Sequence, residues 1–293
     1  MSYFANLTAR LFANVAKLTE QRRKELTVFF LSKQMPEGSF CGRTKTGDLY
    51  YTDFAVRGLF LLGALDTELL KRVSLYLDRQ TQLLPPADLA SFIVSRFIVS
   101  LLQDKPFRQG ETEEYACRWS MFRKEDGCYG TSENTPYSST YTTFLASVSF
   151  ELFGNSTDID CVPIQQRQKS DGGFSELPPL KRSGTNPTAA AAALFKMNHY
   201  DSFDREKMID YLLCRQLPNG GFQAHELIPV ADLLSTFSAV TTLQDLAYPF
   251  PVEKIQPFIQ SMRNFDGGYL GVTGDTQSDV EYTFYGMVLE STI

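Results

Sequence analysis

A chain of 293 residues, 43% of them hydrophobic, can build a substantial core as one large domain or two ordinary ones. Its 28 Lys and Arg against 34 Asp and Glu leave a net charge of −6, the wrong sign for a nucleic-acid footprint. Five cysteines, an odd count with no CxxC pair, argue against a disulfide framework or a cysteine-rich zinc module and for reduced thiols in a cytoplasmic setting.

The first predicted helix is amphipathic and runs Glu20–Gln34. It ends at a turn, Pro36-Glu37-Gly38-Ser39-Phe40, whose glycine supplies a left-handed residue. After a polar loop, Asp53–Leu65 reads as a second, more uniformly apolar helix. The pair then recurs as Asp66–Gln80 with Asp88–Leu102, Glu111–Lys124 with Ser138–Phe153, and Asp160–Lys169 with Thr185–Lys196. Two more follow, Asp204–Gln216 with Asp232–Leu246 and Val252–Arg263 with Asp279–Leu289. The turns between partners are Asp126-Gly127-Cys128-Tyr129, Asp171-Gly172-Gly173-Phe174, Asn219-Gly220-Gly221-Phe222 and Asp266-Gly267-Gly268-Tyr269, about 47 residues apart. One copy, near residue 82, has lost its glycines. No signal peptide is evident, and no apolar run is long enough to predict a membrane span.

The first helix of each pair has one wet face and often a basic end, as an outer helix would. The second is rich in Ala, Ser, Thr and Gly, which suits a buried inner helix. Six such pairs form an open solenoid or a closed toroid, and their number suits closure. The expected fold is therefore all-α: an α/α (α6-α6) toroid of six helix-pair repeats, a single domain over residues 1–293, with a central cavity.

The run Arg215-Gln216-Leu217-Pro218-Asn219-Gly220-Gly221-Phe222, with its four further turns, resembles the β subunit of protein prenyltransferases, the Rab geranylgeranyltransferase type above all. The wider group includes the squalene, oxidosqualene and class II diterpene cyclases, and the resemblance covers about Glu20 to Leu289. It implies a zinc held by the Asp and Cys of a D-x-C-Y pattern and the His of D-x-x-H-T. The matching stretches are Asp232-Leu233-Leu234-Ser235 and Asp279-Val280-Glu281-Tyr282-Thr283. Asp232 is retained, but Leu234 and Tyr282 stand where Cys and His are expected. A catalytic zinc takes three protein ligands, so no zinc is expected. Mg2+ enters only with a diphosphate substrate.

Asp232 has two readings. Like Asp53, Asp88 and Asp279 it opens a predicted inner helix, where Asp serves as an N-cap. Alternatively Asp232 and Glu281, with Tyr282, form a catalytic group, because a carboxyl isolated in an apolar cavity can act as an acid. The resemblance also implies a diphosphate site in the loops ahead of the inner helices, where Lys181, Arg182, Thr185 and His225 now stand. The alternative for such loop cations is solvated surface. Phe54, Phe92, Tyr141, Phe144, Phe237 and Tyr285 are candidates to line the cavity or to pack between helices.

The expected function is binding of an isoprenoid or prenyl diphosphate, with prenyl transfer or cyclase-type chemistry that does without zinc. The rivals are a non-catalytic lipid-binding or scaffold protein, and a zinc prenyltransferase subunit with rearranged ligands. The resemblance implies a helical-repeat partner of the α-subunit kind.

Overall fold

The computed structural model describes residues 2–155 and 159–293. Its helices are α1 Tyr3–Val15, α2 Glu20–Ser32, α3 Leu49–Leu61, α4 Thr67–Asp78, α5 Pro86–Leu102, α6 Gln109–Ser120, α7 Thr140–Leu152, α8 Val162–Gln165, α9 Thr185–Met197, α10 Arg205–Leu213, α11 Leu233–Asp245, α12 Gln256–Met262 and α13 Val280–Thr292. A short antiparallel hairpin, β1 Phe40–Cys41 with β2 Gly47–Asp48, precedes α3. The helices α3, α5, α7, α9, α11 and α13 pack side by side in that order, and α13 packs back onto α3. The solenoid is thus closed into a ring of six inner helices. Outer helices α2, α4, α10 and α12 pack on the inner helix of their own repeat.

Each glycine turn links the two helices of one repeat, and the turns at Gly172 and Gly220 pack against the outer segment of the next. Gly220 has φ +94°, and a Cβ there would run into the backbone carbonyl of Lys254 at the start of the next outer segment. A Cβ on Gly221 would lie 2.7 Å from the ring of Phe258. Gly172 and Gly173 meet Lys207 and Tyr211 in the same way. Two glycines in a row are therefore required: the first by conformation and backbone approach, the second by an aromatic ring laid on it. Cys128 fills the second position in the third repeat, where the following outer helix, α8, is a single turn.

A threonine on five of the six inner helices, all but α5, holds the aromatic residue of the turn. The backbone N–H groups of Phe40, Tyr129, Phe174, Phe222 and Tyr269 donate to the hydroxyls of Thr52, Thr143, Thr188, Thr236 and Thr283 at 2.9–3.0 Å. The turn aspartates 126, 171 and 266 accept from Ser138, Ser183 and Ser278; where the turn residue is Asn219, the serine position holds Ala231.

Two predicted outer helices are shorter than expected, and proline sets where both start. Pro163 stands in the first turn of α8, so the helix cannot start earlier. Pro257 likewise starts α12 afresh, and the chain before it is a 3-10 turn over Val252–Ile255. Helix α1 lies outside the six predicted pairs. This helix lies across the C-terminal ends of the inner ring. Glu151 at the end of α7 accepts from the N–H groups of Tyr3 and Phe4, the latter at 2.8 Å. Asp245 at the end of α11 accepts from the Tyr3 hydroxyl at 2.8 Å and from Arg10 at 2.9 Å. The ring is floored at that end and open at the N-terminal ends of the inner helices. No helix among the described residues is long and apolar enough to cross a membrane.

Candidate functional site

Asp48 caps α3 by accepting from the N–H of Tyr51 at 2.8 Å, so the helix begins at Leu49, four residues before the predicted start. That start places Tyr50, Phe54 and Arg57 on one face, three to four residues apart, directed into the ring. Across the seam between first and last repeats, the Tyr50 hydroxyl donates to Glu281 Oε1 at 2.8 Å. Asp53 accepts from Arg57 Nε at 3.1 Å and again from its Nη2. The Arg57 guanidinium also lies 4.5 Å from the Phe54 ring centre and 5.1 Å from that of Phe284.

Burial controls the charges here. Glu281 is 9% exposed, and desolvation pushes its carboxyl up to about 7, against the Tyr50 and Tyr285 hydrogen bonds that favour the carboxylate. Asp53 is pushed up to about 6 by burial, although Arg57 pulls the other way. Tyr50 and Tyr285 are raised by burial and then by the Glu281 charge. Burial also pushes Tyr141 up to about 12.

The predicted catalytic residues separate into two places. Glu281 points into the ring. Asp232 stays at the rim as the N-cap of α11, accepting from Ser235 N and Oγ at 2.7 Å each. The cap reading holds for Asp232 and for Asp279, which caps α13. It fails for Asp53, which pairs with Arg57 inside α3, and for Asp88, which lies inside the first turn of α5 behind an N-cap Pro85. Tyr282 lies over Gly271, where a Cβ would come within 2.5 Å of its ring. On the Tyr282 ring, 5.6 Å from its centre, sits the guanidinium of Arg43, which also pairs with Asp275 at 2.7 Å and Asp279 at 2.9 Å.

Asp232 is committed to its cap, Leu234 cannot ligate, and Arg43 brings a fixed positive charge beside Tyr282. Among the described residues no three His, Cys, Asp or Glu side chains group to hold a metal.

The four rim residues differ in burial and in bonding. Lys181 and Arg182 are exposed. Thr185 is buried, and its hydroxyl donates to the Gln223 carbonyl at 2.7 Å. His225 Nδ1 accepts from Leu227 N within its own loop. Of the proposed lining, Phe54, Phe237 and Tyr285 form an aromatic group, with Tyr285 5.3 Å from Phe54 and 4.8 Å from Phe237. Tyr141 and Phe144 stand together on α7. Phe92 is a correction: it turns outward onto Tyr115 of α6, at 5.6 Å. Arg57, Asp53 and Tyr50 were missed. The available signal was an Asp and an Arg four residues apart in an otherwise apolar helix, which only an interior pair explains.

The family model of the prenyltransferase alpha-alpha toroid domain matches residues 1–226 and, in an overlapping match, 159–292. Among solved structures, an inactive variant of an alpha-1,6-mannanase of Salegentibacter sp. HEL1_6 in complex with alpha-1,6-mannotriose is 12% identical, with 92% of this chain and 97% of that one covered and a TM-score of 0.60. A variant of the type II terpene cyclase MstE of Scytonema, in complex with geranylgeranyl dihydroxybenzoate, is 11% identical over 97% of each chain, with a TM-score of 0.60. The protein geranylgeranyltransferase-I of Candida albicans complexed with GGPP is 18% identical over 94% of this chain and 78% of that one, with a TM-score of 0.47. What the mannanase and the cyclase share with this chain is the fold.

Proposed function

The chain belongs to the prenyltransferase alpha-alpha toroid family, and on that premise we propose that it holds an isoprenoid in the aromatic interior of its ring and acts on it by acid chemistry, without zinc. The observation that carries this reading is Glu281: a carboxyl among aromatic rings, held by Tyr50 and pushed up to about 7, so that it is part-protonated near neutral pH. The proton on Glu281 transfers to an alkene carbon. Its O–H bond breaks, a C–H bond forms from the π electrons, and a carbocation remains. The faces of Phe237 and Tyr285 stabilise that charge. Loss of a neighbouring proton back to the Glu281 carboxylate restores the acid and leaves an isomerised or cyclised product.

A prenyl diphosphate would carry its headgroup, with Mg2+, at the rim near Lys181, Arg182, Thr185 and His225, of which the first two are free to move toward it. A helical-repeat partner chain belongs to the same proposal. One observation favours a second, non-catalytic role as a lipid holder: Arg57 is a permanent cation already seated over Phe54 and Phe284, where a carbocation would otherwise be welcomed.

The test is product analysis by gas chromatography and mass spectrometry after incubation with prenyl alcohols and diphosphates of several lengths. Turnover should fall as pH rises through about 7, because the acid form is required. Glu281→Gln should bind the same ligands and lose turnover by about a hundredfold or more. Turnover unchanged in that variant would refute the acid, and binding without turnover in the wild type would favour the holder. Metal analysis of protein grown with added zinc should find far less than one zinc per chain. A stoichiometric zinc lost in Asp232→Ala would restore the zinc reading.

A further inference from the structure

Five side chains share one level of the ring. Tyr50, Tyr141, Asn186, Leu234 and Glu281 are each the second residue of an inner helix. Each also stands two residues before the threonine that binds its turn. Two residues rotate a helix by about 200°, so a side chain two places before an outward threonine faces the lumen. Four of the five are polar, although Phe54, Phe237 and Tyr285 stand three or four residues further along the same helices.

Two of the four have hydrogen-bonding groups to spare. Tyr141 is 41% exposed, and among the described residues only its backbone N–H is bonded, to Glu176 at 3.3 Å. Asn186 Oδ1 is buried without a partner, while the rest of that side chain stays partly exposed. The Tyr50 hydroxyl donates to Glu281 and can still accept. These groups are close enough to feel one another. Burial raises the hydroxyls of Tyr50 and Tyr141; Arg57 opposes this, and the Glu281 charge adds to it.

The two arginines beside this level are already paired. Asp53 holds Arg57 through Nε and Nη2, and Asp275 and Asp279 hold Arg43. A diphosphate here would face Glu281 and Asp53 and compete with carboxylates for both arginines. A hydroxyl suits the level better. It accepts from Tyr141 and donates to the Asn186 amide, which a turn about its last side-chain bond brings to the lumen.

We infer that Tyr50, Tyr141, Asn186 and Glu281 form a collar for a neutral, hydroxyl-bearing head, so that the interior takes a prenyl alcohol or phenol in preference to the diphosphate. This rests on the isoprenoid reading above and names the head group that the same interior receives. The tail then lies on Phe54, Phe237 and Tyr285, and a diphosphate is left outside at the rim loops.

Isothermal titration of the full chain, with Mg2+ present, tests this at two chain lengths. The ligands are geraniol, geranyl diphosphate and myrcene, then farnesol, farnesyl diphosphate and farnesene. At each length the alcohol should bind at least tenfold more tightly than the diphosphate and than the hydrocarbon. Tyr141→Phe and Asn186→Leu should each weaken the alcohol by roughly fivefold and leave the hydrocarbon unchanged. Tightest binding by the diphosphates overturns the neutral head and leaves the isoprenoid reading intact. Hydrocarbon bound as tightly as alcohol also overturns it, because the collar then adds nothing. Absence of binding by all six, with the protein folded by circular dichroism, overturns the isoprenoid reading and this inference with it. The wild-type series decides the matter even where a variant folds poorly.

Discussion

Glu281→Gln is expected to melt higher than the wild type at pH 8 and at nearly the same temperature at pH 4.5. The folded carboxyl titrates at about 7 and an ordinary one at 4.5, so the folded chain keeps a proton that the unfolded chain has lost in between. Where the native state binds more protons, stability falls as pH rises. The contribution is complete below the unfolded value and lost by the time pH passes the folded one. A gap of this size is worth roughly 3 kcal/mol, or roughly 6 °C in a chain of this length. Glutamine carries no charge at any pH and keeps an oxygen to accept from Tyr50, so it escapes the penalty. Calorimetry at the two pH values measures this. Equal melting temperatures at pH 8 would show that Glu281 is not desolvated as described. Asp53, pushed up to about 6, adds a loss of the same sign in a lower window. A residue that lowers stability at the pH where it would act as an acid is common in working sites.

Gly220→Ala is expected to cost roughly 4 kcal/mol or more, and Gly127→Ala only about 1 kcal/mol, although both glycines have positive φ. The strained conformation is common to the two. The difference is what a methyl group meets. At Gly127 nothing lies nearer than the Arg123 side chain at 3.9 Å, whereas at Gly220 the new carbon collides with the Lys254 carbonyl. Urea denaturation of both variants measures the contrast. Equal costs would mean that the turns do not set the spacing between repeats.

The closed ring was legible because its cause is repeated. Five copies of one turn, each with a glycine at positive φ, stand out in a single sequence. The threonine that binds the turn N–H also recurs, 14 residues on in four turns and 12 in the first, and is legible beside the glycines. The interior was less legible because it occurs once. Reading Asp53 as a cap leaves Tyr50 outside the inner helix, and the true cap, Asp48, belongs to a hairpin that the period does not foretell. Phe92 was placed inside because an apolar helix does not declare which face meets the lumen and which meets an outer helix. Glu281 was found through alignment with a lost metal site, but its real partner lies more than two hundred residues away, on the first repeat.

That distance has a kinetic consequence. The seam is made of contacts more than two hundred residues apart in the chain: Tyr50 with Glu281, Arg22 with Glu290 at 3.0 Å and Arg43 with Asp279 at 2.9 Å. None can form on the ribosome until the last repeat has been made, and such contacts are slow to find. Until then α3 shows its apolar flank to solvent, and the Asp53–Arg57 pair is hydrated and inexpensive. The interior becomes dry, and Glu281 becomes an acid of near-neutral strength, in one late event. A nascent chain stalled before Val280 would carry the whole aromatic wall of α3 and α11 uncovered, as a target for chaperones rather than for ligand.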